Sequence, residues 1–255
     1  MRLLHGLIAG IALLAACTST PAPVPNETIV LTTPDGVTIH GEPFFEGLSD
    51  SQPLILLFHQ GGSNGRAEYG PLTSWLNEAG YRVIAWDQRQ GGGIYGSENR
   101  TVAALPEGTS YTYCDAYPDL ERALTYALDT GLAEEVIIWG SSYSAALVFQ
   151  LAANNPDKVS ALVSASPASG GPMKDCLARE WLADVSAPMF VMSPQSEMER
   201  PSTQEQAAQM LEAGATYHIV IDGVHGSSML VDDRTKKDMS ADRAVVTEWL
   251  GSLPN

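Results

Sequence analysis

Basic residues are scarce in this chain. Lys and Arg number 14 against 30 Asp and Glu, a formal net charge of −16. A surface of that sign repels phosphate backbones, which argues against nucleic acid as a partner. It also mildly disfavours anionic substrates, although a local pocket can override net charge. Cysteine is rarer still, with three in 255 residues. Their spacing fits no zinc pattern, so no metal and no cofactor is expected. The glycine-rich stretch Gly61-Gly-Ser-Asn-Gly65 lacks the lysine and the spacing of a nucleotide loop. No internal repeat is present, and low complexity is confined to a proline-rich stretch near the N-terminus. The apolar run from Leu3 to Ala16 falls short of the roughly 20 residues that span a bilayer.

What that run does resemble is a targeting segment. Arg2 gives the positive start, Leu3 to Ala16 is apolar, and Leu14-Ala-Ala-Cys17 closes it. Small residues before a cysteine resemble a bacterial lipoprotein signal. The resemblance implies cleavage before Cys17, a lipid on its sulfur and attachment to the membrane of the cell envelope. A plain secretory signal cut near the same place is the alternative. Residues 1–16 are then signal peptide and 17–27 a proline-rich, extended tether. Residues 28–255 remain as one domain, long enough for a substantial core. An exported chain meets an oxidising compartment, which favours a disulfide between Cys114 and Cys176 over two separate buried thiols. Cys114 precedes a helix and Cys176 lies in a loop after a later strand, and both are expected over the mouth of the site.

Along the domain, strands alternate with helices. Thr28–Leu31 and Val37–Gly41 pair around the turn signal Pro34-Asp-Gly36, with His40 on the polar, exposed face. Leu54–Phe58 is a continuous apolar run, the mark of a central strand buried on both faces. Helix material runs from Pro71 to Ala79, and Arg82–Trp86 is the next strand. The loop from Gln88 to Ser110 is long and glycine-rich. Tyr117, Leu120, Leu124, Ala127 and Leu128 repeat at helical spacing up to Gly131. Val136–Trp139 is a strand, and Ser142 to Asn154 is apolar nearly all round, as a buried helix requires. Val159–Val163, Pro188–Met192 and Tyr217–Ile221 complete the strands. Gln204–Ala213 is helical, and a closing helix carries Val245, Val246, Trp249 and Leu250 on one stripe. This order predicts an α/β fold: a mostly parallel central sheet flanked by helices on both faces, with ligands bound beyond the carboxyl ends of the strands. Only about 25 residues separate Val163 from Pro188, too few for a large lid domain.

The most informative segment is Ile137-Ile-Trp-Gly140-Ser-Ser142-Tyr-Ser144. A serine at a sharp strand-to-helix turn is held out of the packed layers, and the following N–H and the helix N-terminus face any oxyanion formed there. Strand and helix nearly collide at such a turn, so small residues are needed two positions to either side; Gly140 and Ser144 supply them. An ordinary buried junction with a serine N-cap is the plainer reading. A serine hydroxyl needs a base, and the base needs an orienting carboxylate. Of the five histidines, His5 falls in the targeting segment. His59 precedes Gln60-Gly-Gly62 and suits loop ordering, and His218 sits inside a strand. His225, between Gly223 and Gly226, lies just past the last strand and is the candidate base. Glu197 and Glu199 follow the preceding strand as candidate acids, or as solvated loop charges; Glu197 is preferred because it is nearer the strand end. The oxyanion donors are expected to be the backbone N–H groups of Tyr143 and Gln60, with Gly61 and Gly62 allowing close approach of the substrate.

These pieces together resemble the α/β-hydrolases, in particular the serine esterase and dienelactone-hydrolase-like group. The matching stretches are Phe58-His-Gln-Gly-Gly62, Asp87-Gln-Arg-Gln-Gly91, Gly140-Ser-Ser-Tyr-Ser144, Pro188 through Glu197, and Gly223-Val-His-Gly226. They span nearly all of the domain. The resemblance implies Ser142 as nucleophile, His225 as base and Glu197 as orienting acid, with Asp87 and Arg89 in a structural turn. Two departures stand out: Ser144 where the pattern has glycine, and serine where dienelactone hydrolases carry a cysteine nucleophile. The expected activity is hydrolysis of small to medium carboxylic esters. Peptide or amide cleavage by the same three residues is the enzymatic alternative, and a silent, envelope-anchored binding or scaffold lipoprotein is the non-enzymatic one.

Overall fold

Leu54–Phe58 forms β3, and every residue of it is fully buried. Such a run cannot sit at a solvated sheet face, and the structure, a computed structural model describing residues 27–254, places it near the sheet centre. Cys17, the expected signal peptide and all of the expected tether but Glu27 lie outside the described residues. In chain order the elements are β1 (Ile29–Thr32), β2 (Thr38–Phe44), β3, α1 (Gly65–Glu78), β4 (Arg82–Asp87), α2 (Arg100–Ala103), α3 (Tyr117–Asp129) and β5 (Val136–Ser141). They continue as α4 (Tyr143–Asn154), β6 (Val159–Ala165), β7 (Met189–Pro194), α5 (Pro201–Glu212), β8 (Thr216–Val220), α6 (Asp232–Thr235) and α7 (Ser240–Gly251).

The strands form one eight-stranded sheet in the order β1-β2-β4-β3-β5-β6-β7-β8. β1, β2 and β4 pair antiparallel, and β4, β3, β5, β6, β7 and β8 run parallel. Because side chains alternate along a strand, the sheet feeds two cores. On one face Leu54, Leu56, Phe58 and Ile138 meet Leu120 and Leu124 of α3 and the apolar body of α4. On the other, Ile55, Leu57, Ile137 and Trp139 meet Leu72 and Leu76 of α1 and Val246 and Leu250 of α7. Between β6 and β7 the chain makes short 3-10 turns at Gly171–Met173, Ala178–Glu180 and Leu182–Asp184 and carries no lid domain.

Three expectations are corrected. α1 begins at Gly65, not Pro71: Asn64 caps it by accepting from Ala67 N–H at 2.9 Å, and Pro71 sits inside the helix. Only glycine fits at 65, since a Cβ there would lie 2.9 Å from the Trp86 carbonyl oxygen of β4. His40 is half-buried against Thr101 rather than exposed. The buried stripe of α7 is narrower than expected, because Val245 is 38% exposed while Val246 is fully buried.

Candidate active site

β5 ends at Ser141, and the chain turns at once into α4. The turn is paid for at two residues. Ser142 takes φ 59° and ψ −114°, a region that L-residues rarely adopt. Gly140 has no room for a side chain: a Cβ would lie 2.3 Å from the carbonyl oxygen of Ser144. The nucleophile candidate is also held through its backbone. Ser142 N–H donates to the Ala165 carbonyl at 2.9 Å, and Ala168 N–H donates to the Ser142 carbonyl at 3.0 Å. The end of β6 therefore fixes where Ser142 sits.

Ser142 Oγ lies 2.8 Å from His225 Nε2, and His225 Nδ1 is in hydrogen-bond contact with Glu197 Oε1. With a carboxylate at Nδ1, the proton of the neutral ring belongs there, which leaves Nε2 to accept from the serine hydroxyl. The His225 side chain is 49% exposed and that of Glu197 13%. Glu197 is carried in the turn after β7, where its N–H donates to the Pro194 carbonyl at 3.0 Å. Glu199 is exposed and does not share this contact. Two serines that carried no signal in the sequence seat the His225 loop. Gly226 N–H donates to Ser166 Oγ at 3.0 Å, and Ser227 N–H donates to Ser141 Oγ at 2.9 Å.

The oxyanion side departs from expectation at Gln60. Its N–H donates to Oε2 of the fully buried Glu68 at 2.8 Å, so it is not free for a substrate. Burial pushes the Glu68 carboxyl up, against the opposing pull of Ser141, Gln60 N–H and Arg234. The Gln60 carbonyl is also occupied. His59 Nδ1–H donates to it at 2.8 Å and Ser63 N–H at 3.2 Å. That ring tautomer follows from Gln88 N–H, which donates to His59 Nε2 at 3.1 Å. Burial lowers the His59 pKa and keeps the ring neutral. Because C=O and the next N–H of a trans peptide point in opposite directions, fixing the Gln60 carbonyl fixes the Gly61 N–H. Gly61 N–H and Tyr143 N–H have no protein acceptor among the described residues. Tyr143 opens α4, so its free N–H is one of the orphan donors of a helix N-terminus.

Ser144 is fully buried, and its hydroxyl donates to the His59 carbonyl at 2.7 Å and accepts from Gln88 Nε2 at 2.6 Å. The residue that breaks the glycine pattern thus ties the first turn of α4 to the loops after β3 and β4. Asp87 and Arg89 are structural. Asp87 accepts from Gly65 N–H and Arg100, while Arg89 is buried between Asp35 and Asp119. His218 pairs with Asp242 at 2.7 Å at the far edge of the sheet. Cys114 and Cys176 are joined by a disulfide, with Cα atoms 5.7 Å apart. Among the described residues no helix is long and apolar enough to cross a membrane, and no cluster of three His, Cys, Asp or Glu side chains is placed to hold a metal.

Sheet, crossovers and the serine at the strand-to-helix turn define the class. The chain matches the family model for the alpha/beta hydrolase fold over residues 53–223 and belongs to that family. Solved structures of similar fold include the esterase Pf2001 of Pyrococcus furiosus, at TM-score 0.66 and 16% identity over 90% of this chain and 91% of that one. Est1E of Butyrivibrio proteoclasticus superposes at TM-score 0.62 and 11% identity, covering 88% of this chain and 97% of its own. In sequence, 117 residues are 32% identical to a Variovorax paradoxus (strain S110) protein provisionally named carbamate hydrolase RutD. That match covers 46% of this chain and 38% of the relative's length.

Proposed function

We propose that this hydrolase cleaves carboxylic esters of small to medium size through an acyl-enzyme on Ser142. The observation that carries the reading is the 2.8 Å approach of Ser142 Oγ to His225 Nε2 at a strained turn, with Glu197 on the other ring nitrogen. His225 takes the Ser142 proton as Oγ bonds to the ester carbonyl carbon. The carbonyl oxygen becomes an oxyanion, held by the N–H groups of Tyr143 and Gly61. The carbon–alkoxy bond then breaks, and His225 protonates the leaving alkoxide. Water enters next and gives a proton to His225. Its oxygen bonds to the acyl carbon, the Ser142 ester bond breaks, and the proton returns to Oγ. Glu197 orients the ring and stabilises the imidazolium throughout. The segment between β6 and β7 carries no lid domain, which favours compact substrates that reach Ser142 directly.

Ser142→Ala should lose turnover of a p-nitrophenyl ester by a factor of about 10⁴ or more while its circular dichroism stays that of the wild type. A fluorophosphonate probe should label wild type and not the variant. Retained turnover in Ser142→Ala, or a wild type inert to probe and esters alike, would overturn the reading and favour a silent binding or scaffold protein. A second reading, cleavage of an amide or carbamate, is favoured by the local match to the Variovorax protein. Matched p-nitrophenyl ester, p-nitroanilide and carbamate substrates separate the two by kcat/KM. On the sequence alone, we also infer that residues 1–16 are a lipoprotein signal and that Cys17 carries the lipid, so that catalysis takes place at the bacterial cell envelope.

A further inference from the structure

Tyr113 takes no part in the chemistry above, yet its phenol reaches the oxyanion loop. A Cβ built on Gly61 would lie 2.6 Å from the Tyr113 hydroxyl oxygen, so that hydroxyl hangs directly over the Gly61 backbone. Its ring is stacked on that of Tyr143, with centroids 4.7 Å apart and planes 12° apart. Tyr113 therefore touches both residues whose N–H groups are free at the site. The hydroxyl has no protein hydrogen-bond partner among the described residues, and the residue is half-buried.

The next residue is Cys114. Its disulfide reaches 62 residues along the chain to Cys176. Cys176 belongs to the segment that follows β6, the same segment whose Ala168 N–H holds the Ser142 carbonyl. Residues 104–113 contain neither helix nor strand. Leu105, Tyr111 and Tyr113 lean on the core, and the Arg89 guanidinium lies over the Tyr111 ring. Among the described residues their hydrogen bonds are local apart from the Gln90 contact at the Tyr111 carbonyl. The covalent bond thus joins the loop bearing Tyr113 to the loop that fixes the nucleophile. A cavity of about 360 Å³ opens between them, with Tyr113 and Cys114 on one side and Gly171 and Pro172 on the other.

We propose that Tyr113 contacts the substrate, its hydroxyl donating to an ester oxygen at the oxyanion loop, and that the Cys114–Cys176 disulfide holds it in place. The proposal rests on Ser142 being the nucleophile. It makes turnover depend on the oxidised bridge. Dithiothreitol would deliver two electrons and two protons to the S–S bond, leave two thiols and itself close to a cyclic disulfide.

The test crosses two perturbations. Tyr113→Phe keeps the ring and should lose about tenfold in kcat/KM, as removal of one hydrogen bond to a charged transition state does. Tyr113→Ala should lose at least as much. Non-denaturing reduction of the wild type should lower kcat/KM severalfold, but reduction of Tyr113→Ala should change it little, because the two losses share one cause. A bridge that merely stiffens the fold would lower both proteins by the same factor. Such additivity, or wild-type kcat/KM in Tyr113→Phe, would overturn the proposal. Fluorophosphonate labelling of untreated wild type is run alongside: absence of labelling means that the serine-hydrolase reading has failed, and this inference with it.

Discussion

A carboxyl group with no solvent access lies behind the loop proposed to stabilise negative charge. Glu68 accepts the Gln60 N–H with one oxygen, while the other has no hydrogen-bond partner. Burial raises its pKa above the ordinary 4.5, so the folded state holds the Glu68 proton more tightly than the unfolded chain does. Linkage then fixes the sign. Glu68 favours folding most below about pH 4.5, and that advantage is lost as pH rises through the raised folded value. Gln at this position can accept the same N–H and carries no charge to desolvate. Glu68→Gln should therefore raise Tm by a few degrees at pH 8, about 2–4 °C for each kcal/mol gained, and the gain should vanish near pH 4.5. An equal Tm shift at both pH values, read by differential scanning calorimetry, would contradict this account. The same carboxylate explains why the sequence points to the wrong N–H at Gln60. Which way a peptide N–H points in a glycine-rich loop depends on partners elsewhere, here Glu68 on α1 and the His59 ring. Nothing in Phe58-His-Gln-Gly-Gly62 announces them. That Glu197 rather than Glu199 contacts His225, by contrast, was legible, because distance from the strand end decides which side chain reaches across to the last loop.

At the scale of elements, everything depends on how tightly β5 is folded back onto α4. The closest approach is at Gly140, where the Ser144 and Ala145 backbones leave no space for even one methyl group. Gly140→Ala must push α4 away from the sheet. The expected cost is about 2–3 kcal/mol in urea unfolding, together with a fall in kcat of about 100-fold from a displacement on the order of 1 Å at the serine. A variant with wild-type kcat would show that the turn tolerates more room than its backbone contacts imply. The parallel strands were plain in the sequence because both of their faces are covered, so apolar residues run without a break from Leu54 to Phe58 and from Val136 to Trp139. The start of α1 was not. Pro71 reads as the first helical residue, but the helix is nucleated earlier by the Asn64 cap, and Pro71 falls at an exposed position where its ring meets solvent. The narrowed stripe of α7 was hidden too: periodicity puts Val245 and Val246 on one face, yet Val245 stays 38% exposed beside the fully buried Val246.

For the whole molecule, the acidic surface and the N-terminal segment matter together. A net charge of −16 keeps the domain soluble and repels anionic membrane surfaces, so attachment to a bilayer needs an anchor outside the domain. On the proposed lipoprotein reading, a lipid at Cys17 carrying more than one acyl chain would give stable anchoring, where a single chain would give only marginal binding. The full-length protein should therefore partition into detergent phase, and Cys17→Ser should move it to the aqueous phase with kcat on soluble esters unchanged. Aqueous partitioning of the wild type would end the lipoprotein reading and leave the hydrolase reading intact. The sheet order has a last consequence. Hydroxyl, imidazole and carboxylate are borne by the ends of β5, β8 and β7, and none of the three is needed to build either core. A descendant of this chain that lost any one of them would keep the same outline and the same layers. Kinship in shape therefore says little about whether such a molecule still reacts, and the three rims have to be inspected one by one.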